Sequence, residues 1–162
     1  MPDMNTVATG ALEGAALDAW RSYLQSHASI LRELDAELAA QHAMTTRDYE
    51  VLLYLAQAPD RRLPMSALSE RTMLTRSGIT RLVDGLVDCG LIERVSCQND
   101  ARVSYAKLTQ SGYEKLRDAG QTHIASIRRM FLEHFTPEEI ETLAALLSRL
   151  PGAGGGESCS VE

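Results

Sequence analysis

The chain has 162 residues and a hydrophobic content of 44%, which is enough for one domain with a sizeable core. No apolar run approaches the roughly 20 residues that cross a bilayer, and the N-terminus lacks the basic and apolar regions of a signal peptide. The composition therefore predicts a cytoplasmic chain with no membrane partner.

The formal charge of −6 is unevenly distributed along the chain. Residues 61–108 hold eight cationic and five anionic side chains, a net charge of +3, which leaves −9 for the remainder. Counterion release depends on the contacting patch rather than on the total charge. This basic segment can therefore bind phosphates, with the acidic remainder facing away from them.

The two ends and the cysteines carry few structural signals. Residues 1–10 are predicted to be a flexible N-terminus and the Gly-rich residues 151–162 a disordered tail. Cys89, Cys97 and Cys159 show no metal-ligand spacing, and no cofactor is predicted. We interpret them as free thiols; oxidation of Cys89 or Cys97 is the redox-responsive alternative.

Residues 11–41 carry a long helical pattern, because side chains of one stripe recur at spacings of three and four residues. The stripe consists of Leu17, Trp20, Leu24, His27, Leu31, Leu34 and Leu38. His27 is either a hydrogen-bonded core histidine or a residue at the edge of a ligand cavity. Thr45 or Thr46 is predicted to cap a second helix that runs to about Gln57.

The most informative helix lies in TRSGITRLVDGLVDCG, residues 75–90. Before it, residues 63–64 predict a short extended piece, and Ser66 is predicted to cap a brief helix through Arg71. The informative helix has one apolar face and ends at Gly90 as a left-handed residue. Its opposite face begins with Arg76, Ser77, Thr80, Arg81 and Asp84, so that its N-terminal end is rich in cations and hydroxyls. Because a solvated helix favours acids at its N-terminus, these cations suit an external anion such as phosphate.

Two strand-like runs, LIERVS and RVSYAKL, flank a turn at residues 97–101. Thr109 is predicted to cap a long helix that reaches about Phe135. ThrProGluGlu at residues 136–139 is a strong start signal for a final helix, which Pro151 stops.

Two short helices followed at once by a two-stranded hairpin make a winged helix-turn-helix, whose second helix fits the major groove of B-DNA. Asp100 and Arg102 project to the same side of an extended chain, so the carboxylate can direct the guanidinium toward phosphates or a narrow minor groove. The predicted fold is mainly α, with long N- and C-terminal helices and a two-stranded β-wing.

At these residues the chain resembles the MarR family of bacterial transcription regulators, over about residues 15–150. The most specific parts are SGITRLVDGLVDCGLIER, residues 77–94, and NDARVSYAKLTQSG, residues 99–112. The second part matches the family's wing pattern, Asp-x-Arg followed by a strand and Leu-Thr-x-x-Gly. Many members carry a second arginine where this chain has Ala101, so one phosphate contact is missing.

The resemblance implies a homodimer whose two winged modules bind successive half-sites of a palindromic operator. It divides residues 11–150 into dimerisation helices, 11–57 and 109–150, and a DNA-binding winged module, 61–108. Family members typically repress a nearby operon and release DNA when a small, often phenolic, ligand binds between the dimer helices and the winged module. By position, the candidate ligand contacts are Trp20, His27, Arg47 and Tyr49, with ordinary packing as the alternative for each.

The leading hypothesis is a dimeric, ligand-responsive repressor that contacts double-stranded DNA through Arg76, Ser77, Thr80, Arg81, Asp100 and Arg102. A winged helix that serves only protein interaction is the alternative, because a fold does not determine function. Apolar anchors would then be expected on the basic face. An enzyme is not predicted, since the sequence has no Gly-rich phosphate loop, HExxH or GxSxG motif.

Overall fold

The computed structural model describes residues 12–96 and 103–152 of the chain. Within these ranges the chain folds into six α-helices and three short strands. In chain order they are α1 (Gly14–His42), α2 (Thr46–Gln57), β1 (Arg62–Pro64), α3 (Met65–Thr72), α4 (Arg76–Asp88), β2 (Ile92–Ser96), β3 (Ser104–Leu108), α5 (Gln110–Met130) and α6 (Pro137–Leu147). The predicted winged helix-turn-helix with long terminal helices is confirmed.

Helix starts are fixed locally by threonine caps. Thr45 caps α2 in a capping box, in which its hydroxyl accepts from Asp48 N at 3.1 Å and Asp48 accepts from Thr45 N at 2.8 Å. Thr136 and Glu139 form the same box at α6. Thr109 caps α5, and Gly90 after α4 has φ +70°. Each of these predictions is confirmed, because all the interacting groups lie within one turn.

Three helix boundaries differ from the prediction, and one of them is the end of α6, which lies at Leu147 rather than beside Pro151. Helix α3 begins at Met65 with Pro64 as its N-cap, and Ser66 forms no cap because it already lies inside the first turn. Helix α5 ends at Met130 rather than near Phe135. Phe131 leaves the helical region, with φ −130°, and its ring packs edge-on against Phe135 at 5.5 Å. A short 3-10 turn at Leu132–His134 then leads to α6.

The sheet has three antiparallel strands in the order β1-β3-β2. The predicted hairpin is formed by β2 and β3, with Ile92 opposite Leu108 and Ser96 opposite Ser104. The predicted extended piece at residues 63–64 becomes part of β1 and pairs with β3. This third strand attaches the start of α3 to the base of the wing.

The apolar core lies where α2, α3, α4 and the sheet meet the first half of α5. Its fully buried side chains include Val51, Leu52, Leu55, Leu68, Ile79, Val83 and Ala106. The end of α1 joins this core through Leu38. Helix α2, which the sequence places with the dimerisation helices, therefore packs into the core of the winged module.

Hydrogen bonds and a close backbone contact join the turn after α4 to the start of α5. The Thr109 hydroxyl donates to the Gly90 carbonyl at 2.8 Å, and Thr109 N donates to the Leu91 carbonyl at 3.1 Å. A Cβ on Gly112 would lie 2.1 Å from the Leu91 oxygen. The Leu-Thr-x-x-Gly pattern thus has a steric cause, since only glycine permits this approach.

Candidate nucleic-acid interface

Helix α4 presents two different faces. Ile79, Val83 and Leu86 are buried against the core, whereas all four predicted contact residues are exposed: Arg76, Ser77, Thr80 and Arg81. The helix therefore holds the predicted polar residues together on its solvent side, anchored by the apolar stripe beneath them.

Hydroxyl groups order the N-terminus of α4. The Thr75 side chain accepts from Gly78 N at 3.1 Å and lies 3.2 Å from the Ser77 hydroxyl. The Thr80 hydroxyl donates to the Arg76 carbonyl at 2.7 Å. Because that bond uses its single proton, Thr80 offers only lone pairs and a methyl group to a ligand.

The two arginines of α4 keep their charge available. Among the described residues, no carboxylate forms an ion pair with Arg76 or Arg81. The first turn of α4 contains no acidic residue. The exposed end of the helix therefore combines two guanidinium groups with the partial positive charge of the helix dipole.

A small groove of about 280 Å³ lies between the start of α3, helix α4 and the start of β3. Its polar lining comes from Ser66, Arg76, Thr80 and Ser104. Ser66 and Ser104 were not predicted to belong to the site. Their contribution depends on the pairing of β1 with β3, which brings the start of α3 beside the wing.

A second feature absent from the prediction is an ion pair between α4 and β2. Arg94 Nη2 donates to Asp84 Oδ1 at 2.7 Å, and both side chains remain partly exposed, at 34% and 55%. Asp84 follows Thr80 and Arg81 by one helical turn. The ion pair thus joins the basic face to the hairpin.

The hairpin carries the remaining predicted DNA contacts. Asp100 and Arg102 lie outside the described residues, as does Cys97. On the sheet surface Glu93 and Lys107 form an ion pair of 2.9 Å between opposite positions of β2 and β3. Cys89 is a free, exposed thiol at the C-cap of α4.

The four candidate ligand contacts fall into separate places. Trp20 and His27 line an apolar groove of about 1,100 Å³ between α1, the end of α5 and α6. We call it the terminal groove. Within one chain His27 is exposed and stacks on Tyr23 at 6.0 Å, so it takes no part in the chain's own core.

Arg47 and Tyr49 lie on α2. Arg47 donates to the Thr72 carbonyl at 3.2 Å and pairs with Glu50 at 2.9 Å. Tyr49 is buried, and its ring lies 4.5 Å from that of His123. Trp20 is roughly 27 Å along α1 from Leu38, which shares the core with Tyr49. The four residues therefore do not form one pocket in this conformation.

Within the described ranges, no helix combines the length and the hydropathy required to cross a membrane.

Comparison with known proteins identifies the family. A sequence profile described as MarR family matches residues 43–103. AbsC from Streptomyces coelicolor, a MarR family transcriptional regulator, superimposes with a TM-score of 0.81 at 30% identity, over 86% of this chain and 93% of AbsC. Sco3205 from the same organism, solved in complex with DNA, gives a TM-score of 0.80 at 31% identity, over 86% of this chain and 88% of its own.

A more distant relative is the homoprotocatechuate degradative operon repressor of Escherichia coli. It is 26% identical over 117 residues, which cover 72% of this chain and 77% of the repressor. With solved relatives at 30% identity or more aligned over most of both chains, this chain belongs to the MarR family of transcriptional regulators.

Proposed function

We propose that this protein is a homodimeric transcriptional regulator that binds double-stranded DNA with α4 in the major groove. The observation that carries the proposal is the exposed N-terminal half of α4, where Arg76 and Arg81 accompany ordered hydroxyls. The DNA complex of the relative Sco3205 supports the same partner. Residues at the N-terminus of a recognition helix lie nearest to the base edges.

Each residue of the interface has a distinct role in this proposal. Arg81 binds a guanine edge or a phosphate, and Arg76 binds a phosphate with the help of Ser77. Thr80 contacts a thymine methyl group or accepts from an exocyclic amine, because its hydroxyl proton is already engaged. Asp100 and Arg102, at the hairpin turn, are assigned to the adjacent minor groove.

The second copy of the chain is proposed to cover the terminal groove. Large apolar side chains are exposed along α1 and the C-terminal region, including Trp20 at 51%, Leu146 at 48% and Leu150 at 45%. Contiguous apolar surface of this kind marks an interaction site. A two-fold dimer places its winged modules on two half-sites. Residues 61–108 then bind DNA, whereas α1, α5 and α6 hold the copies together.

The test is binding to DNA upstream of the chain's own gene, followed by fluorescence anisotropy and footprinting at several salt concentrations. The logarithm of the binding constant should fall with that of the salt concentration, by about 0.9 per neutralised phosphate. Replacing Arg81 by Ala should weaken binding by about 1–3 kcal/mol. The control is Arg128→Ala, which removes an exposed arginine from α5. A flat salt response, or equal effects of both variants, would contradict the proposal.

We also propose that small aromatic molecules are the first effectors to test. A relative is the repressor of a homoprotocatechuate degradative operon, and Tyr49 with His123 forms an aromatic pair where α2 meets α5. Release of DNA should then depend on Tyr49 or Arg47 rather than on Trp20 and His27, which the second copy would cover. Titrating phenolic acids into the protein–DNA complex tests this point. An effect that is lost in Trp20→Phe but kept in Tyr49→Phe would contradict it.

A further inference from the structure

The ion pair between Asp84 and Arg94 lies at a distinctive place in the winged module. Asp84 is on the exposed side of α4, and Arg94 is on β2, the first strand of the hairpin. Their 2.7 Å contact bridges the seam between these two elements. Neither side chain has a second hydrogen bond to a described residue, so most of the donors of Arg94 and one oxygen of Asp84 remain available.

The seam has a predictable position on DNA if the proposed function holds. Helix α4 occupies the major groove, and the hairpin reaches into the neighbouring minor groove. Adjacent grooves of a duplex are separated by one sugar-phosphate strand. On the proposed function, this strand passes the side of the protein where α4 and β2 meet, and Arg94 is held there by Asp84.

We propose that Arg94 binds a phosphate of the strand that separates the two grooves, and that Asp84 is its positioning residue. The inference rests on the proposed DNA-binding function. A guanidinium can donate to a carboxylate on one side and to a phosphate on the other, because its five N–H groups form a planar fork. Asp84 fixes the direction of this fork. The positive charge of Arg94 in turn neutralises the repulsion between the Asp84 carboxylate and the phosphates.

The same strands provide a matched comparison. Lys107 on β3 pairs with Glu93 at 2.9 Å, much as Arg94 pairs with Asp84. Consecutive residues of a strand point to opposite faces, so Glu93 and Arg94 lie on opposite faces of β2. Lys107 is thus a paired cation of the same sheet that faces away from the proposed path of the phosphates.

The experiment measures the salt dependence of binding for the dimeric, full-length protein. In Arg94→Gln the affinity should fall about 10- to 100-fold, equally for operator and unrelated DNA, and the salt slope should decrease in magnitude by about 0.9. Arg94→Lys should restore the slope but only part of the affinity, because lysine keeps the charge and loses the fork. Lys107→Gln should leave the slope unchanged.

The variant Asp84→Asn tests whether Asp84 positions Arg94 or only repels DNA through its negative charge. If Asp84 acts through Arg94, its replacement should weaken binding in the wild-type background and have no such effect in Arg94→Gln. If the carboxylate only repels DNA, the replacement should strengthen binding in both backgrounds, and the inference fails.

The unfolding temperatures of all variants show whether Arg94 serves only to stabilise the fold. A lower stability of Arg94→Gln together with an unchanged salt slope would overturn the inference. Absence of salt-dependent DNA binding by the wild-type protein would instead overturn the proposed function itself.

Discussion

The winged module and the terminal helices bury their apolar residues to different extents. Leu52, Leu55, Leu68 and Val83 are completely buried between α2, α3, α4 and the sheet. In contrast, none of the residues of α6 is buried, and the buried residues of α1 are confined to Leu34 and Leu38 near its end. The core therefore lies around the winged module and the elements packed against it, whereas α6 and the first part of α1 contribute no buried residue to it.

Polar contacts accompany the burial of Leu38 in holding α1 against α5. Glu37 accepts hydrogen bonds from Ser126 and Arg129, and His42 lies 2.8 Å from the Thr122 hydroxyl. The Ser126 hydrogen bond, with the Arg129 charge, holds the pKa of Glu37 below its ordinary value. These contacts connect the last turns of α1 to the second half of α5. This comparison supports the proposal that a second copy covers the terminal helices.

The largest effect is expected from a charge in the terminal groove. Trp20→Glu places a carboxylate on a surface that the proposed dimer desolvates, and Trp20 is already 51% exposed within one chain. We expect the dimer dissociation constant to rise at least about 100-fold, as for central interface residues. Sedimentation equilibrium measures this constant.

Met73→Glu is the matched control, because Met73 is an apolar residue that is 82% exposed in the turn between α3 and α4. An unchanged dimer dissociation constant in Trp20→Glu, or an equal rise of this constant in both variants, would contradict the proposal that the terminal groove is the dimer interface.

An intermediate effect is expected where the start of α5 packs against the winged module. Gly112→Ala should lower the free energy of unfolding by about 1–3 kcal/mol, because the new Cβ would overlap the Leu91 carbonyl and a Leu108 methyl group. Gly85→Ala is the control, since its Cβ meets no atom within 4 Å. This control should stabilise α4 by up to about 1 kcal/mol. Urea unfolding should show a lower free energy of unfolding for Gly112→Ala and a higher one for Gly85→Ala. A change of the same sign in both variants would contradict the close approach of Gly112 to Leu91.

The sequence predicts what depends on neighbours along the chain. The caps at Thr45, Thr109 and Thr136 are confirmed, as is the left-handed Gly90, because each depends on one turn of backbone. The four polar residues of α4 share one exposed face for the same reason, since helical periodicity alone determines which side chains are neighbours.

Contacts between distant segments were not predictable in this way. The Asp84–Arg94 pair needs β2 to pack beside α4, and the entry of Ser66 into the site needs β1 to pair with β3. The early end of α5 results from the packing of Phe131 on Phe135. The four ligand candidates were predicted to share a pocket from their positions along the chain. The length of α1 instead separates Trp20 from Tyr49.

A smaller effect is expected from His123, which lies where the two regions meet. Burial lowers the pKa of His123, and its Nδ1 has no hydrogen-bond partner among the described residues. A histidine whose pKa is depressed in the folded state takes up its proton more readily when unfolded. Its contribution to stability is therefore complete above about pH 6.5, the ordinary value, and is lost as the pH falls. His123→Phe keeps a ring against Tyr49 and removes the titration. Urea unfolding between pH 7.5 and 5.5 should show a weaker loss of stability in this variant than in the wild-type protein. An identical loss in both proteins would show that acid destabilises the protein through other groups and that the junction of α2 and α5 does not sense pH.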